Sequence, residues 1–290
     1  MPIDLILVYG ALAVWAALLV IGFRQKSYKP FLWMGLAIMV VMNVRYLISG
    51  VAVSIPAFVG IYDAFDNLGL ASDEGAPALA TCVDNACSVW GDRYTNHSSW
   101  GVAFYDRFVN GPQSRRNMLY VHIFFNSVAF LLMHYQLARP GTGANRARHR
   151  LLGKVGFAAI SLGTFFAVWL STEHGSVSEY GGILSMVGFW SMSAFVYGTA
   201  IKGVLTARSG DVASHRVWMI RCLGSMWGAF WLFRVMLVVT GPLLRNYESA
   251  SLLISIWFSA PLGLLIAESY LRRSAASPTR LTPSATAVAA

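Results

Sequence analysis

The chain has 290 residues, 56% of them hydrophobic and only 12% charged, with a formal net charge of +9. A soluble domain carries about twice that charged fraction, so this composition excludes an ordinary soluble protein. The positive charge does not indicate nucleic-acid binding, because the basic residues sit at the ends of apolar runs and in short loops, and no RNP-like or zinc-finger pattern accompanies them.

In chain order the apolar runs fall at roughly 3–23, 31–55, 118–138, 153–172, 181–205, 216–240 and 251–271. Each approaches the roughly 20 residues that carry a helix across the hydrocarbon. A bilayer offers backbone groups no partners, so spans of this kind are helical. The expected fold is all-α: a single integral membrane bundle of about seven transmembrane helices, residues 1–273, followed by a disordered Ala/Ser/Thr/Pro-rich tail, 274–290. No Lys or Arg precedes the first run, which is long enough to span, so it reads as a retained helix and not a signal peptide.

The loops set the expected orientation. Arg24, Lys26 and Lys29 follow the first run, and Arg139, Arg146, Arg148 and Arg150 follow the third. Arg208 and Arg216 flank the loop after the fifth, and Arg272 and Arg273 follow the seventh. With seven spans these groups share one side, which the positive-inside rule makes cytoplasmic. The N-terminus is then outside, the C-terminus inside, and the expected location is a cytoplasmic (inner) membrane. Segment 56–117 falls outside as a cap bearing Trp90, Tyr94, Trp100, Phe104 and Tyr105. It also holds Cys82 and Cys87, which read as a small disulfide loop in an oxidising compartment. Their spacing suits two metal ligands as well, but no nearby Cys or His completes a set. Cys222 lies in an apolar run and reads as a packing residue.

A faint repeat follows. His149-Arg150-Leu151-Leu152-Gly153-Lys154 opens the fourth run and His215-Arg216-Val217-Trp218-Met219-Ile220-Arg221 opens the sixth, each after a polar loop and before a pair of apolar runs. A duplicated two-helix unit accounts for this, with a four-helix core from the third to the sixth run. In these residues, together with His122, Arg234 and Ala267-Glu268-Ser269, the chain resembles the uncharacterised bacterial multi-pass membrane proteins of domain-of-unknown-function family 2306. The resemblance covers roughly residues 118–273. It implies a helical membrane bundle and carries no activity with it.

Ionisable groups inside spans are costly and point to function. Arg45, Arg234, His122 and Asn126 all count to the outer half of the bilayer, where Glu173 and His174 end the fourth run. His122 and Asn126 are one helical turn apart on a shared face. Three ligands suit this layer: haem b with His122 and His174 as axial ligands and the arginines on its propionates; a transition metal on His122, Glu173 and His174; or an anionic or quinone-like molecule on the two arginines. The structural alternative is that the arginines bond backbone carbonyls or lipid. On the cytoplasmic side His134, His149 and His215 gather with Arg148, Arg150, Arg216 and Arg221. His134 lies about 18 Å along the helix from His122 but about 120° around it, which weakens a stacked two-haem seam. The plainer reading of this side is a lipid-binding loop, with Asp211 or Ser214 capping the sixth helix and Glu268 paired to Arg221 or Arg272. Trp169, Trp190, Trp227, Trp231 and Trp257 read as anchors or packing.

No P-loop, Rossmann fingerprint, nucleophile elbow or His-Glu-x-x-His motif occurs. The leading expectation is a redox-related membrane protein holding haem or a metal through intramembrane histidines. The competing expectation is a non-catalytic accessory or assembly subunit of a membrane complex, or a lipid-binding, small-molecule-binding or transport protein that needs no cofactor. The bilayer, and other membrane-protein subunits, are the expected partners; nucleic acid is not.

Overall fold

A computed structural model describes residues 3–25, 27–54, 106–139, 143–172, 182–243 and 248–275. Among them all regular structure is helical and no strand occurs. The helices are α1 (Ile3–Gln25), α2 (Lys29–Ser49), α3 (Gln113–Ala138), α4 (Arg146–Thr172), α5 (Gly182–Arg208), α6 (Val212–Trp227), α7 (Phe233–Leu243) and α8 (Glu248–Ala275). Among the described residues, five helical stretches are long and apolar enough to cross a membrane: α2, α3, α4, α5 and Ala250–Arg273 of α8. The sixth apolar run is not one regular helix. A π-helical segment, Gly228–Leu232, separates α6 from α7 within one continuous rod. α1 contributes a shorter apolar stretch, Gly10–Gly22.

Local chemistry sets several boundaries. Pro30 stands in the first turn of α2, where its missing N–H costs nothing. Asp211 caps α6 by accepting the Ser214 amide at 2.9 Å, just after Gly210 turns the chain at φ +82°. At Gly50, φ +79° breaks α2, and the Val51 amide turns to the Tyr120 hydroxyl at 3.1 Å. α3 is prefaced by a second π-helical turn, Asp106–Asn110. The Arg107 side chain there is 6% exposed and donates to the Leu170 carbonyl at 2.6 Å, satisfying a group at the end of α4 that would otherwise lack a helical partner.

α3, α4, α5 and α6 form a closed ring in which each helix touches the next and α6 returns to α3. α4 and α6 are therefore diagonal partners. Phe130, Met133, Ile160, Val196, Cys222 and Met226 fill the interior. Cys222 is fully buried as a free thiol, consistent with packing. The α1/α2 hairpin joins this ring through Trp15, which stacks on Phe31 and meets Trp231 edge-on. A Cβ on Gly35 would lie 2.7 Å from Trp227 and 2.8 Å from Trp15, so only glycine lets α2 approach so closely.

α8 packs along α5, α6, the π segment and α7. Its contact with α6 is backbone to backbone. A Cβ on Gly224 would lie 2.6 Å from the Ala267 Cβ, one on Gly228 2.6 Å from the Ala260 Cα, and one on Gly263 2.7 Å from the Gly228 nitrogen. In a bilayer the lipid tails are as apolar as the side chains, so such small-residue contact supplies the association energy that burial provides in water.

Candidate functional site

Polar groups collect in two layers, one at each end of the α3–α6 ring. The far layer, away from the basic loops, contains His122 and Asn126 of α3, Arg45 and Tyr46 of α2, and Arg234 at the start of α7. His122 Nδ1 lies 3.0 Å from the Gly163 carbonyl of α4, and the Asn126 amide lies 3.0 Å from the same nitrogen. A Cβ on Gly163 would fall 2.6 Å from Asn126 Cγ, so the glycine makes room for this pair. Arg234 donates to the Phe230 carbonyl inside the π segment, where the altered helical pitch shifts the usual pairing. Asn43, 5% exposed, ties α2 to α3 by donating to the Ser127 hydroxyl at 2.8 Å.

Of the expected set, His122 and Asn126 are brought together against Gly163, while Arg234 bonds the Phe230 carbonyl within its own rod, and these contacts are what the far layer shows. Tyr46, Asn43, Gly163 and the Phe230 carbonyl belong to it and escaped the sequence reading. Asn43 and Tyr46 flank Arg45 within one turn, and that spacing was the available signal. Glu173 and His174 lie outside the described residues, as do Cys82 and Cys87.

His134 stands apart from both layers. Nδ1 donates to the Phe130 carbonyl at 2.8 Å and Nε2 accepts the Trp227 indole N–H at 3.0 Å. Both ring nitrogens are engaged, so a ligand at His134 would have to displace Trp227. Trp227 is thus a packing residue with a polar duty, and Trp231 is 2% exposed, whereas Trp169, Trp190 and Trp257 are 48%, 39% and 38% exposed.

The second layer lies among the basic loops. His149 and His215, each on the first turn of its helix, approach across the α4–α6 diagonal with ring centroids 6.3 Å apart and planes at 86°. His215 Nδ1 donates to the Gly203 carbonyl at 2.7 Å, leaving Nε2 as the unshared nitrogen. His149 Nδ1 is buried without a hydrogen bond. The Arg139 guanidinium lies 5.5 Å from the Tyr135 ring centre, and Arg148 directly precedes His149 on α4. The two acids of this end are committed elsewhere. Glu268 pairs with Arg221, which lies 4.6 Å over the Trp218 ring. Asp211 accepts from Ser214, and those hydrogen bonds hold its carboxyl below the usual carboxylate range. The two sequence expectations, an Asp211 cap and a Glu268–Arg221 pair, agree with this geometry. Among the described residues no group of three or more His, Cys, Asp and Glu gathers in a way that holds a metal ion.

Comparison with curated proteins and with solved structures returns no match. The family described as "Predicted membrane protein (DUF2306)" matches residues 119–271, which spans α3 to α8 and includes every ring of the histidine pairs just described. The chain belongs to this membrane-protein family.

Proposed function

We propose that the chain is a seven-span redox protein of the cytoplasmic membrane, N-terminus outside and C-terminus inside, that holds haem b between His149 and His215 near its cytoplasmic end. The carrying observation is the 6.3 Å spacing of the two rings. At this spacing the two imidazoles would hold a haem between them, and the haem would supply one-electron redox chemistry there. The perpendicular planes and the open Nε2 of His215 suit the same arrangement. A Nδ1–H bond to a backbone carbonyl is the usual way to fix the tautomer of a ligating histidine, and Gly203 provides it.

The donor set separates haem from a bare ion. A structural metal ion takes about four protein ligands, and no such cluster occurs among the described residues. A porphyrin brings four nitrogens and asks the protein for two. Arg139 and Arg148 would hold the propionates, and the chemistry supplied is one-electron transfer. The seven-span reading adds α1 and the α6–α7 rod to the five regular spans; its orientation is supported by the concentration of Arg and Lys at the His149/His215 end.

The test is an absorption spectrum of detergent-purified protein after haem supplementation, oxidised and then dithionite-reduced. The expected result is a Soret band with sharpened α and β bands on reduction. His149→Ala and His215→Ala should each lose the six-coordinate spectrum, and His134→Ala should keep it. A colourless wild-type protein sinks the reading and puts the accessory-subunit class in front.

A further inference from the structure

The two histidines at the basic end are held unequally. The His215 amide donates to the Asp211 carbonyl at 2.9 Å, and its ring Nδ1 donates to the Gly203 carbonyl at 2.7 Å. Met219, one turn further along α6, lies against Gly203, where an added Cβ would run into its sulfur. His149 lacks the matching ring bond: its Nδ1 is buried without a hydrogen bond. One turn further along α4 stands Gly153, in the place that Met219 takes on α6. Among the described residues a Cβ on Gly153 would meet only the Gln136 amide, at 3.6 and 3.7 Å. Helical side chains lean toward the N-terminus, so the residue four places on is the one that confines a ring in the first turn. Gly153 therefore leaves the His149 ring room to turn. A ligating imidazole owes its orientation and basicity to an acceptor on its second nitrogen. Ligation by His149 through Nε2 leaves a buried N–H without one, which costs roughly tenfold or more in the ligation equilibrium.

We propose that His215 is the fixed axial ligand and His149 the exchangeable one, so that the site takes a diatomic gas in the position His149 leaves. The inference rests on the haem reading above and adds the class of ligand to it. The bond from His149 Nε2 to ferrous iron breaks, the diatomic bonds in its place, and no electron or proton moves. With the rings 6.3 Å apart both imidazoles close the site. The space freed when one turns away is that of a single imidazole beside Gly153 and Gln136, which limits the newcomer to a few atoms.

The test is stopped-flow absorbance of the full, haem-loaded and dithionite-reduced chain mixed with carbon monoxide. In wild type the six-coordinate spectrum should give way at a rate that levels off with gas concentration, because departure of His149 comes first. His149→Ala should retain haem and bind the gas about tenfold faster or more, at a rate linear in concentration. His215→Ala should lose haem affinity by about tenfold more than His149→Ala does. Gly153→Met, which fills the space beside the ring and removes no ligand, should slow the reaction by about tenfold. The wild-type measurement needs no variant and stands even where a mutant fails to fold. Absence of a Soret band in wild type defeats the haem reading and this inference together. A six-coordinate spectrum unmoved by carbon monoxide overturns the exchangeable ligand alone, and so does weaker haem retention in His149→Ala than in His215→Ala.

Discussion

At the level of single residues, the histidines show how much depends on which nitrogen is occupied. His122, His134 and His215 all place Nδ1 on a backbone carbonyl. They differ at Nε2, which Trp227 occupies in His134 alone. Sequence spacing located one face: the one-turn separation of His122 and Asn126 was readable. The engaged nitrogen was not readable, because the Gly163 and Gly203 carbonyls belong to helices 41 and 12 residues away in the chain. Asp211 provides a pH test on the same scale. Its folded-state carboxyl is held below the usual range by Ser214, so its contribution to the start of α6 is complete above the ordinary carboxylate range. That contribution is lost as pH falls through the lower folded value. Protection factors of the 212–216 amides, taken relative to intrinsic exchange at each pH, should fall on acidification in wild type. Asp211→Asn should keep the cap and remove that pH dependence; an unchanged acid response in this variant would falsify the role assigned to Asp211.

Among the elements, the α6–π–α7 rod departs most from the apolar pattern that announced it. Periodicity marks a run of apolar residues but does not register one extra residue per turn, so the π segment was invisible. The glycine contact with α8 had a usable signal: Gly224 and Gly228 stand four apart, the small-x-x-x-small spacing of close membrane helix pairs. Gly228→Ala and Gly263→Ala meet backbone atoms that cannot rotate away, so each should cost about 1–3 kcal/mol, the usual penalty for overpacking. Thermal unfolding in detergent, followed by monodispersity on size-exclusion chromatography, reads the effect. Gly198→Ala, on α5 with no atom within 4 Å of the added carbon, is the matched control and should match wild type or exceed it.

The whole molecule is polarised. Arg and Lys concentrate where α4 and α6 begin, and the acids described at that end, Asp211 and Glu268, are each committed to a partner. This asymmetry was legible from composition and loop position alone, and so was the all-helical architecture. The closed ring and its diagonal were not legible, since an apolar face does not name the helix it meets. The proposed orientation has a chemical consequence for Cys82 and Cys87, which it places in an oxidising compartment. A membrane-impermeant maleimide applied to intact cells should label neither cysteine before reduction and both afterwards; labelling without reductant would count against the disulfide. The glycine contact between α6 and α8 also governs how the bundle moves. Where Gly224, Gly228 and Gly263 meet, only small residues separate the two backbones, so α6, the π segment and α8 should move as one stiff body. Displacement of α4 against that body changes the separation of His149 and His215, which makes the gap between the rings a gauge of bundle strain.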